Sequence, residues 1–223
     1  MVNKLKGFYM LSRRSSGDVD LAIILSYLTF DGHLAKDLKG FYISSGSKST
    51  IQRFRDLIKQ QYGIDGRLED GMGFGKSFKY RYFNAIITRH LYASGAPKGN
   101  KTATEFWVPL WIMSNREFAR AYIRTAFDCE GSIWFEKQAK IRFGICKEPR
   151  LIANGLAFIN DLKEILLNFQ VETTKTWITN TNARMDGTNT NGFYFKIRQQ
   201  SIHTFAREIG FSDRFKKRRL SLI

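Results

Sequence analysis

The chain repeats one arrangement of residues twice, and this repetition limits its fold more than any other feature of the sequence. An apolar run over 21–30 ends at an Asp-Gly pair (31–32), and a second run over 118–129 ends at a Glu-Gly pair (130–131). Neither run contains Gly or Pro, so both predict buried helices. Self-similarity at this separation indicates two copies of one supersecondary unit.

The same succession of elements follows each acid-glycine pair. Two short strands are predicted first, at 33–36 and 41–45 in one copy and at 133–137 and 140–146 in the other. An amphipathic helix then begins at a lysine, and 17 positions separate Asp31 from Lys48 and Glu130 from Lys147. Two more strands and a helix complete each copy, at 64–70, 77–83 and 84–93 and at 171–180, 192–199 and 201–209.

These patterns predict an α+β fold of two pseudo-symmetric αββαββα halves, with the two apolar helices packed together at the centre. The predicted divisions are a basic N-terminal arm (1–17), a first half (18–93), a linker (94–110), a second half (111–210) and a basic C-terminal tail (211–223). Asp18 or Asp20 is expected to cap the first helix and Ser114 the second. A glycine in the left-handed conformation is expected to end each helix.

Close packing of the central helices needs small side chains where they face each other. Ser26 and Thr125 each lie five positions before the acid and meet this need. The residues directly before the acids differ, because Phe30 is large and Cys129 is small. We therefore expect an asymmetric interface, in which Cys129 acts as a small packing residue.

The two acids occupy positions that ordinary helices disfavour. A carboxylate at the C-terminal end of a helix faces the negative end of the helix dipole. Packing of the helices about a pseudo-twofold axis would bring Asp31 and Glu130 together, and like charges in proximity repel unless a cation compensates. A hard divalent ion such as Mg²⁺ suits two carboxylates and phosphate chemistry. One such turn is common, but the matched pair favours a functional role.

The charge balance indicates a polyanionic partner. The chain has 36 Lys and Arg against 20 Asp and Glu, a formal net charge of +16, which is typical of nucleic-acid binding. Its two cysteines and three histidines match no disulfide framework or zinc spacing. No stretch reaches the length of a membrane span, so an intracellular, soluble protein is expected.

Several predicted strands alternate apolar residues with polar or basic ones, as expected for a sheet with one face on a core and the other on DNA. The outward-facing set predicted to contact DNA comprises Arg67, Lys79, Arg81, Lys140, Arg142, Tyr194, Lys196 and Arg198. Arginines can contact guanine with two hydrogen bonds, and lysines can contact phosphates.

The segments ILSYLTFDG (24–32) and IRTAFDCEG (123–131) resemble the two motifs of the LAGLIDADG homing endonucleases, in particular the monomeric two-motif type encoded in archaeal or organellar introns. The acid and the glycine match in both copies, and Asp128 matches in the second. The resemblance implies that each half places a four-stranded antiparallel sheet in the DNA major groove, the two sheets forming a saddle. It also implies a monomer that cuts double-stranded DNA at a long, asymmetric site and leaves short 3′ overhangs.

The same resemblance implies roles for individual residues. Asp31 and Glu130, with the neighbouring Gly32 and Gly131, would bind Mg²⁺, for which Mn²⁺ could substitute. By position, Lys48 and Lys147 would stand near the scissile phosphates. Ser47 would help to order the attacking water, a role for which its counterpart Cys146 is poorly suited.

Three other functions are compatible with a basic chain of this kind. An intron maturase would bind intron RNA and accelerate splicing. A DNA-binding relative that has lost cleavage would keep the fold alone. Binding to a membrane surface is the least favoured, because the basic residues alternate along strands and do not line an amphipathic helix.

Overall fold

The first half contains the seven predicted elements in the predicted order. The computed structural model describes residues 15–70, 77–184 and 187–223. The elements of the first half are α1 (Ser15–Phe30), β1 (Gly32–Leu34), β2 (Phe41–Ser45), α2 (Lys48–Tyr62), β3 (Arg67–Asp70), β4 (Phe78–Tyr82) and α3 (Ala85–Ala93). The strands form an antiparallel sheet in the order β1-β2-β4-β3, so the predicted four-stranded sheet is confirmed.

The second half follows the same plan with additions. Its elements are α4 (Leu110–Met113), α5 (Arg116–Glu130), β5 (Ser132–Phe135), β6 (Ala139–Lys147), α6 (Ile152–Asn168), β7 (Trp177–Ile178), β8 (Asn182–Ala183), β9 (Asn189–Lys196), α7 (Ile202–Glu208) and α8 (Arg214–Leu220). The antiparallel sheet has the order β5-β6-β9-β7, with β8 also paired to β9. Of the long strand predicted over 171–180, only the short strand β7 forms, and β8 lies beyond that range.

The central helices α1 and α5 pack against each other, as the repeat predicts. Ser26 is fully buried between them and donates a hydrogen bond of 2.8 Å to the Tyr122 carbonyl. Thr125 is also buried, but its hydroxyl bonds to Ala121 in its own helix. Both small residues thus lie in the seam, and of the two hydroxyls that of Ser26 makes its hydrogen bond across it.

Phe30 shows how the halves share one core. Its ring lies 5.6 Å from that of Phe143 and 6.0 Å from that of Phe158, both in the second half. The first central helix therefore places its last side chain inside the aromatic core of the other half. This accounts for the large side chain at position 30.

The glycines after the acids are needed for close packing and not for a left-handed turn. Gly131 has φ −74° and ψ 147°, and a Cβ there would lie 2.4 Å from the Phe127 carbonyl oxygen. A Cβ on Gly32 would lie 2.9 Å from the Leu28 backbone. The prediction of left-handed helix ends is thus wrong, because in both halves the chain passes directly from the helix into a strand.

The helix caps also differ from the predictions. Helix α1 begins at Ser15, so Asp18 and Asp20 lie within it. Of the predicted arm (1–17), residues 1–14 fall outside the described residues and 15–17 belong to α1. The cap of α5 is Asn115, which accepts hydrogen bonds from the amides of Glu117 and Phe118. Neighbouring polar residues compete for cap positions, and the sequence alone did not distinguish them.

The linker and the C-terminal segment are both packed against the body of the protein. In the linker, Gly99 donates to the Leu34 carbonyl, and Phe106 exchanges hydrogen bonds with Asn154 of α6. Most of the predicted basic tail forms α8, whose Arg219 donates to the Ile133 carbonyl. Within the described residues, no helix has both the length and the apolar character needed to cross a membrane.

Candidate active site

The two acids lie where the central helices end and the sheets begin. Asp31 directly follows α1, and Glu130 is the last residue of α5. Since the helices pack side by side and each is followed at once by the first strand of its sheet, both carboxylates lie at the same end of the seam. The sequence-based prediction that the acids form a pair thus has a structural basis.

The acids interact with each other electrostatically. Loss of hydration raises the pKa of Glu130 to about 7, and the charge of Asp31 acts in the same direction. Loss of hydration also raises the pKa of Asp31, while a hydrogen bond from the Cys129 thiol opposes this shift. The Glu130 side chain reaches solvent, so its carboxylate is crowded by protein yet open to a ligand.

Lys101, from the linker, compensates the C-terminal end of α1. Its ammonium group donates hydrogen bonds to the carbonyls of Phe30 and Leu28. Burial lowers the pKa of Lys101 to about 8, and the charges of Asp31 and Glu130 oppose that shift. A lysine at this position satisfies otherwise free carbonyls and the negative end of the helix dipole.

Lys216, from α8, does the same for α5. Its ammonium group donates to the carbonyls of Phe127 and Asp128. The last carbonyls of each central helix therefore accept hydrogen bonds from one lysine side chain, although Lys101 lies in the linker and Lys216 in the C-terminal segment. Sequence reasoning missed both, because they occupy no equivalent positions in the repeat; the basic run at 216–219 was the one available signal for Lys216.

The first of the lysines predicted from the repeat, Lys48, lies in the first turn of α2. Its side chain is exposed, and the ammonium group stands 5.1 Å from the centre of the Phe78 ring. Ser47 is the N-cap of α2 and accepts from the Thr50 amide. Neither residue is among those that interact with the acids in the described structure, so their catalytic roles stay predictions.

The second predicted lysine, Lys147, lies in a different setting. It is the last residue of β6, not the start of a helix, and it is fully buried. Its ammonium group donates to the carbonyls of Lys101 and Thr104, at 3.0 and 2.6 Å, and lies 3.4 Å from the Phe106 ring centre. Burial lowers the pKa of Lys147 to about 7. Lys147 thus fastens the linker that carries Lys101.

A cavity of about 480 Å³ opens beside Glu130. Phe30, Lys101 and Phe106 line one side of it, and Arg142 and Tyr194 of the second sheet line another. The cavity therefore connects Glu130 with the outward face of the second sheet. Its size and its cationic lining suit a phosphate with its sugar or base.

The residues predicted to contact DNA lie mainly on the outward faces of the sheets. In the first sheet, Arg67 is exposed and opposite Arg81, which pairs with Glu69 at 3.1 Å. Lys79 lies over the Tyr42 ring at 4.6 Å. The buried faces carry Tyr80 and Tyr82, as the alternation predicts.

In the second sheet, Lys140, Arg142, Tyr194 and Lys196 lie on the outward face, while Phe143 and Phe195 and their neighbours are buried. Arg198 is the exception. It lies beyond the end of β9 and bonds to the Thr173 carbonyl and to Glu172. Its placement differs from the prediction because the strand ends at Lys196.

The donor set at the seam fits a magnesium-like ion. Asp31 and Glu130 offer hard carboxylate oxygens, and the negative charge of Asp31 helps to raise the pKa of Glu130. No group of three or more His, Cys, Asp or Glu side chains suited to a metal occurs in the described part of the chain. Mg²⁺ commonly binds through one or two carboxylates and completes its shell with water and phosphate, so two acids suffice.

Comparisons with known proteins agree with this architecture. The family description "LAGLIDADG-like domain" matches residues 117–210. The chain is 25% identical over 214 residues to the replication factor C small subunit of Methanocaldococcus jannaschii, covering 95% of this chain and 10% of that protein. It is 28% identical over 174 residues to the tRNA-splicing ligase RtcB of Methanopyrus kandleri, covering 69% and 17%. The chain therefore spans a small part of both relatives.

Solved structures share the fold at low sequence identity. The homing endonuclease I-DmoI matches with a TM-score of 0.56 and 14% identity, over 86% of this chain and 90% of that one. Full-length WhiA of Thermatoga maritima matches with a TM-score of 0.57 and 13% identity, over 94% and 61%. The fold implied by the resemblance to the LAGLIDADG homing endonucleases is thereby confirmed, and the second half of the chain matches the LAGLIDADG-like domain.

Proposed function

We propose that this protein is a site-specific endonuclease that hydrolyses both strands of duplex DNA with a divalent metal ion. One observation carries the proposal. Asp31 and Glu130 meet at the end of a two-helix seam, where two antiparallel sheets with basic outward faces begin. A fold of this kind with two acids at its centre can present one carboxylate to each scissile phosphate.

The residues around the acids have distinct tasks in this proposal. A bound divalent ion would activate water and stabilise charge on the phosphate, and Asp31 and Glu130 would hold it. Lys101 and Lys216 keep positive charge at the helix ends, where a phosphate oxygen would develop negative charge. Arg142 lines the same cavity as Glu130 and Lys101 and would hold the DNA backbone there.

The comparisons support this function. I-DmoI was solved with its target DNA in the presence of Mg, and with DNA and Mn, so Mg²⁺, with Mn²⁺ as a substitute, is the metal we propose. The curated relatives have unrelated names and share 10% and 17% of their length with this chain. That pattern favours a unit whose activity is independent of either relative. Because each half supplies one acid, we propose that a monomer acts.

A DNA-binding protein without nuclease activity is the second candidate. The match to WhiA is as good as the match to I-DmoI, with TM-scores of 0.57 and 0.56, so the fold alone does not imply cleavage. The presence of both acids and of both capping lysines favours the nuclease. A catalytically inactive chain would have no need to keep two repelling carboxylates together.

The decisive experiment is a cleavage selection. The protein is incubated with Mg²⁺ and a pool of linear duplexes with a randomised central segment, and the new ends are sequenced. The proposal expects ends that accumulate at one asymmetric sequence with short 3′ overhangs. Duplexes that are bound and retained but never cut, with Mg²⁺ or Mn²⁺, would identify the second candidate.

A further inference from the structure

Five side chains on the outward face of the second sheet form a closed ring of contacts. The Arg142 guanidinium lies 5.8 Å from the Trp134 ring centre and 5.2 Å from that of Tyr194. Tyr194 stacks on Trp177 at 5.6 Å, with 25° between the rings. Lys196 lies 5.7 Å from Trp134 and 5.8 Å from Trp177. Three aromatic rings and two cations thus form one connected set across strands β5, β6, β9 and β7; we call this set the aromatic platform.

Two glycines allow the platform to lie close to the sheet. A Cβ on Gly144 would stand 2.1 Å from a carbon of the Tyr194 ring, and a Cβ on Gly192 would stand 2.5 Å from another. Gly144 is also the partner of Tyr194 in the strand register. The tyrosine ring therefore lies across the backbone of the sheet, where a side chain on either neighbour would displace it.

The first sheet has a different outward face. Among the described residues of its paired strands, the corresponding surface contains one tyrosine, Tyr42, on which His33 stacks at 5.1 Å. Phe83 is exposed just beyond β4, and Arg81 lies 5.3 Å from the Tyr42 ring centre and 5.7 Å from that of Phe83. The other outward residues on its paired strands are hydrogen-bonding or charged, namely Ser44, Arg67, Glu69, Lys79 and Arg81. The described surface of the first sheet thus offers mainly donors and acceptors and has no tryptophan, while the second offers a larger apolar ring surface, with two tryptophans and a tyrosine beside its cations.

We propose that the aromatic platform selects thymines in the half-site that the second sheet contacts. This inference rests on the proposed function, because it assumes a duplex in the saddle. Base edges in the major groove display donors and acceptors, and the thymine methyl is the one apolar group among them. Tryptophan and tyrosine rings that cover a sheet can bury that methyl, whereas they cannot stack on paired bases.

The expected size of the effect follows from the burial of one methyl group. A buried carbon of this kind contributes about 0.8 kcal/mol, or about a fourfold change in affinity. Deoxyuridine lacks the methyl and pairs identically, so it is a direct probe. Each thymine contacted by the platform should lose about fourfold in affinity when it is replaced by deoxyuridine.

The test uses the full chain, a duplex selected for binding, and Ca²⁺ or no metal, so that cleavage is not needed for the readout. Thymines are replaced by deoxyuridine in one half-site at a time. We expect the affinity to fall in the half-site of the second sheet and to change less than twofold in the other. Equal effects in both half-sites, or none, would overturn the inference.

Variants link the effect to the platform. Trp177 is 37% exposed, so Trp177→Ala should fold normally and bind thymine and deoxyuridine duplexes equally. Gly144→Ala should displace the Tyr194 ring and weaken the discrimination without removing an aromatic residue. Ser44→Ala on the first sheet is the matched control and should keep the discrimination. If Trp177→Ala keeps it too, the inference is wrong.

Two further outcomes distinguish failure of the thymine inference from failure of the proposed function. If single-stranded oligo(dT) and oligo(dU) both bind more tightly than the duplex and quench tryptophan fluorescence equally, the platform stacks on unpaired bases and the inference fails. If no duplex binds at all, the proposed function itself fails. Duplex binding without a methyl effect contradicts only the thymine inference.

Discussion

The two halves share the helix seam and the position of the acid, and they differ in nearly everything around it. Asp31 receives a hydrogen bond from Cys129 of the other half, whereas Phe30, the counterpart of Cys129, fills the aromatic core of the second half. The helix ends are compensated by Lys101 in one half and Lys216 in the other. The comparison teaches that the paired carboxylates are the constrained feature, and that each half supports its acid with different residues.

Loss of either acid should have the largest effect. Asp31→Asn and Glu130→Gln keep the size of the side chain and remove the charge that holds the metal, so we expect cleavage of both strands to fall by at least about 10³-fold. DNA affinity should stay within a few-fold. Strand-resolved cleavage and equilibrium binding on one labelled duplex check this. If a variant cuts at the wild-type rate, the acid that it replaces has no role in cleavage.

Loss of a capping lysine should have the next largest effect and should reveal the asymmetry. Lys101→Met and Lys216→Met each remove a cation from one helix end, so we expect cleavage to slow by about 10²-fold, more on one strand than on the other. The strand affected should differ between the two variants, giving nicked duplex as an intermediate. Identical slowing of both strands in both variants would mean that the lysines do not belong to separate half-sites.

Variants of Lys147 and Lys48 test whether the two lysines, which have equivalent positions in the repeat, also have equivalent roles. Equal catalytic roles would give equal slowing in Lys147→Met and Lys48→Met. The structure instead favours unequal effects: loss of two hydrogen bonds from buried Lys147 should cost about 1–3 kcal/mol and slow cleavage about tenfold through Lys101. Thermal melts of both variants, beside their cleavage rates, test this. Equal melting temperatures together with equally reduced cleavage rates would indicate that the two lysines have the same catalytic role.

The seam itself provides the smallest test. Ser26→Ala removes a buried hydrogen bond that crosses between the halves, so we expect a loss of about 1 kcal/mol in the free energy of unfolding. Thr125→Ser, the matched variant in the other helix, keeps the hydroxyl that bonds within α5 and should cost less. Chemical denaturation measures both. A larger loss in the threonine variant would reverse the comparison.

The sequence predicted the repeat, the seam and the acid pair because each depends on local periodicity. Apolar runs that end in an acid and a glycine determine the helices, and alternation determines the sheet faces. Lys101 and Lys216 could not be predicted, because they reach the helix ends from 71 and 88 positions away through tertiary packing. Lys147 was assigned to a helix start because its spacing from Glu130 matched the other copy, while its burial depends on the linker.

The ionisation of Glu130 also makes the stability of the fold depend on pH. Its pKa is raised in the folded chain from an ordinary value of 4.5 to about 7, so the folded state favours the protonated acid. The resulting stabilisation is fully present below pH 4.5 and is lost as the pH rises through about 7. Without metal, Glu130→Gln should therefore melt at a higher temperature than the wild type at pH 8.

The central claim is that Asp31 and Glu130 form one coupled pair across the seam, and the most direct test is the titration of Glu130. Carboxyl carbon chemical shifts are followed against pH in the metal-free wild type and in Asp31→Asn. We expect a pKa of about 7 for Glu130 in the wild type and a clearly lower value in the variant, because the repelling charge is gone. An unchanged Glu130 pKa in Asp31→Asn, or a pKa near 4.5 in both proteins, would contradict the claim.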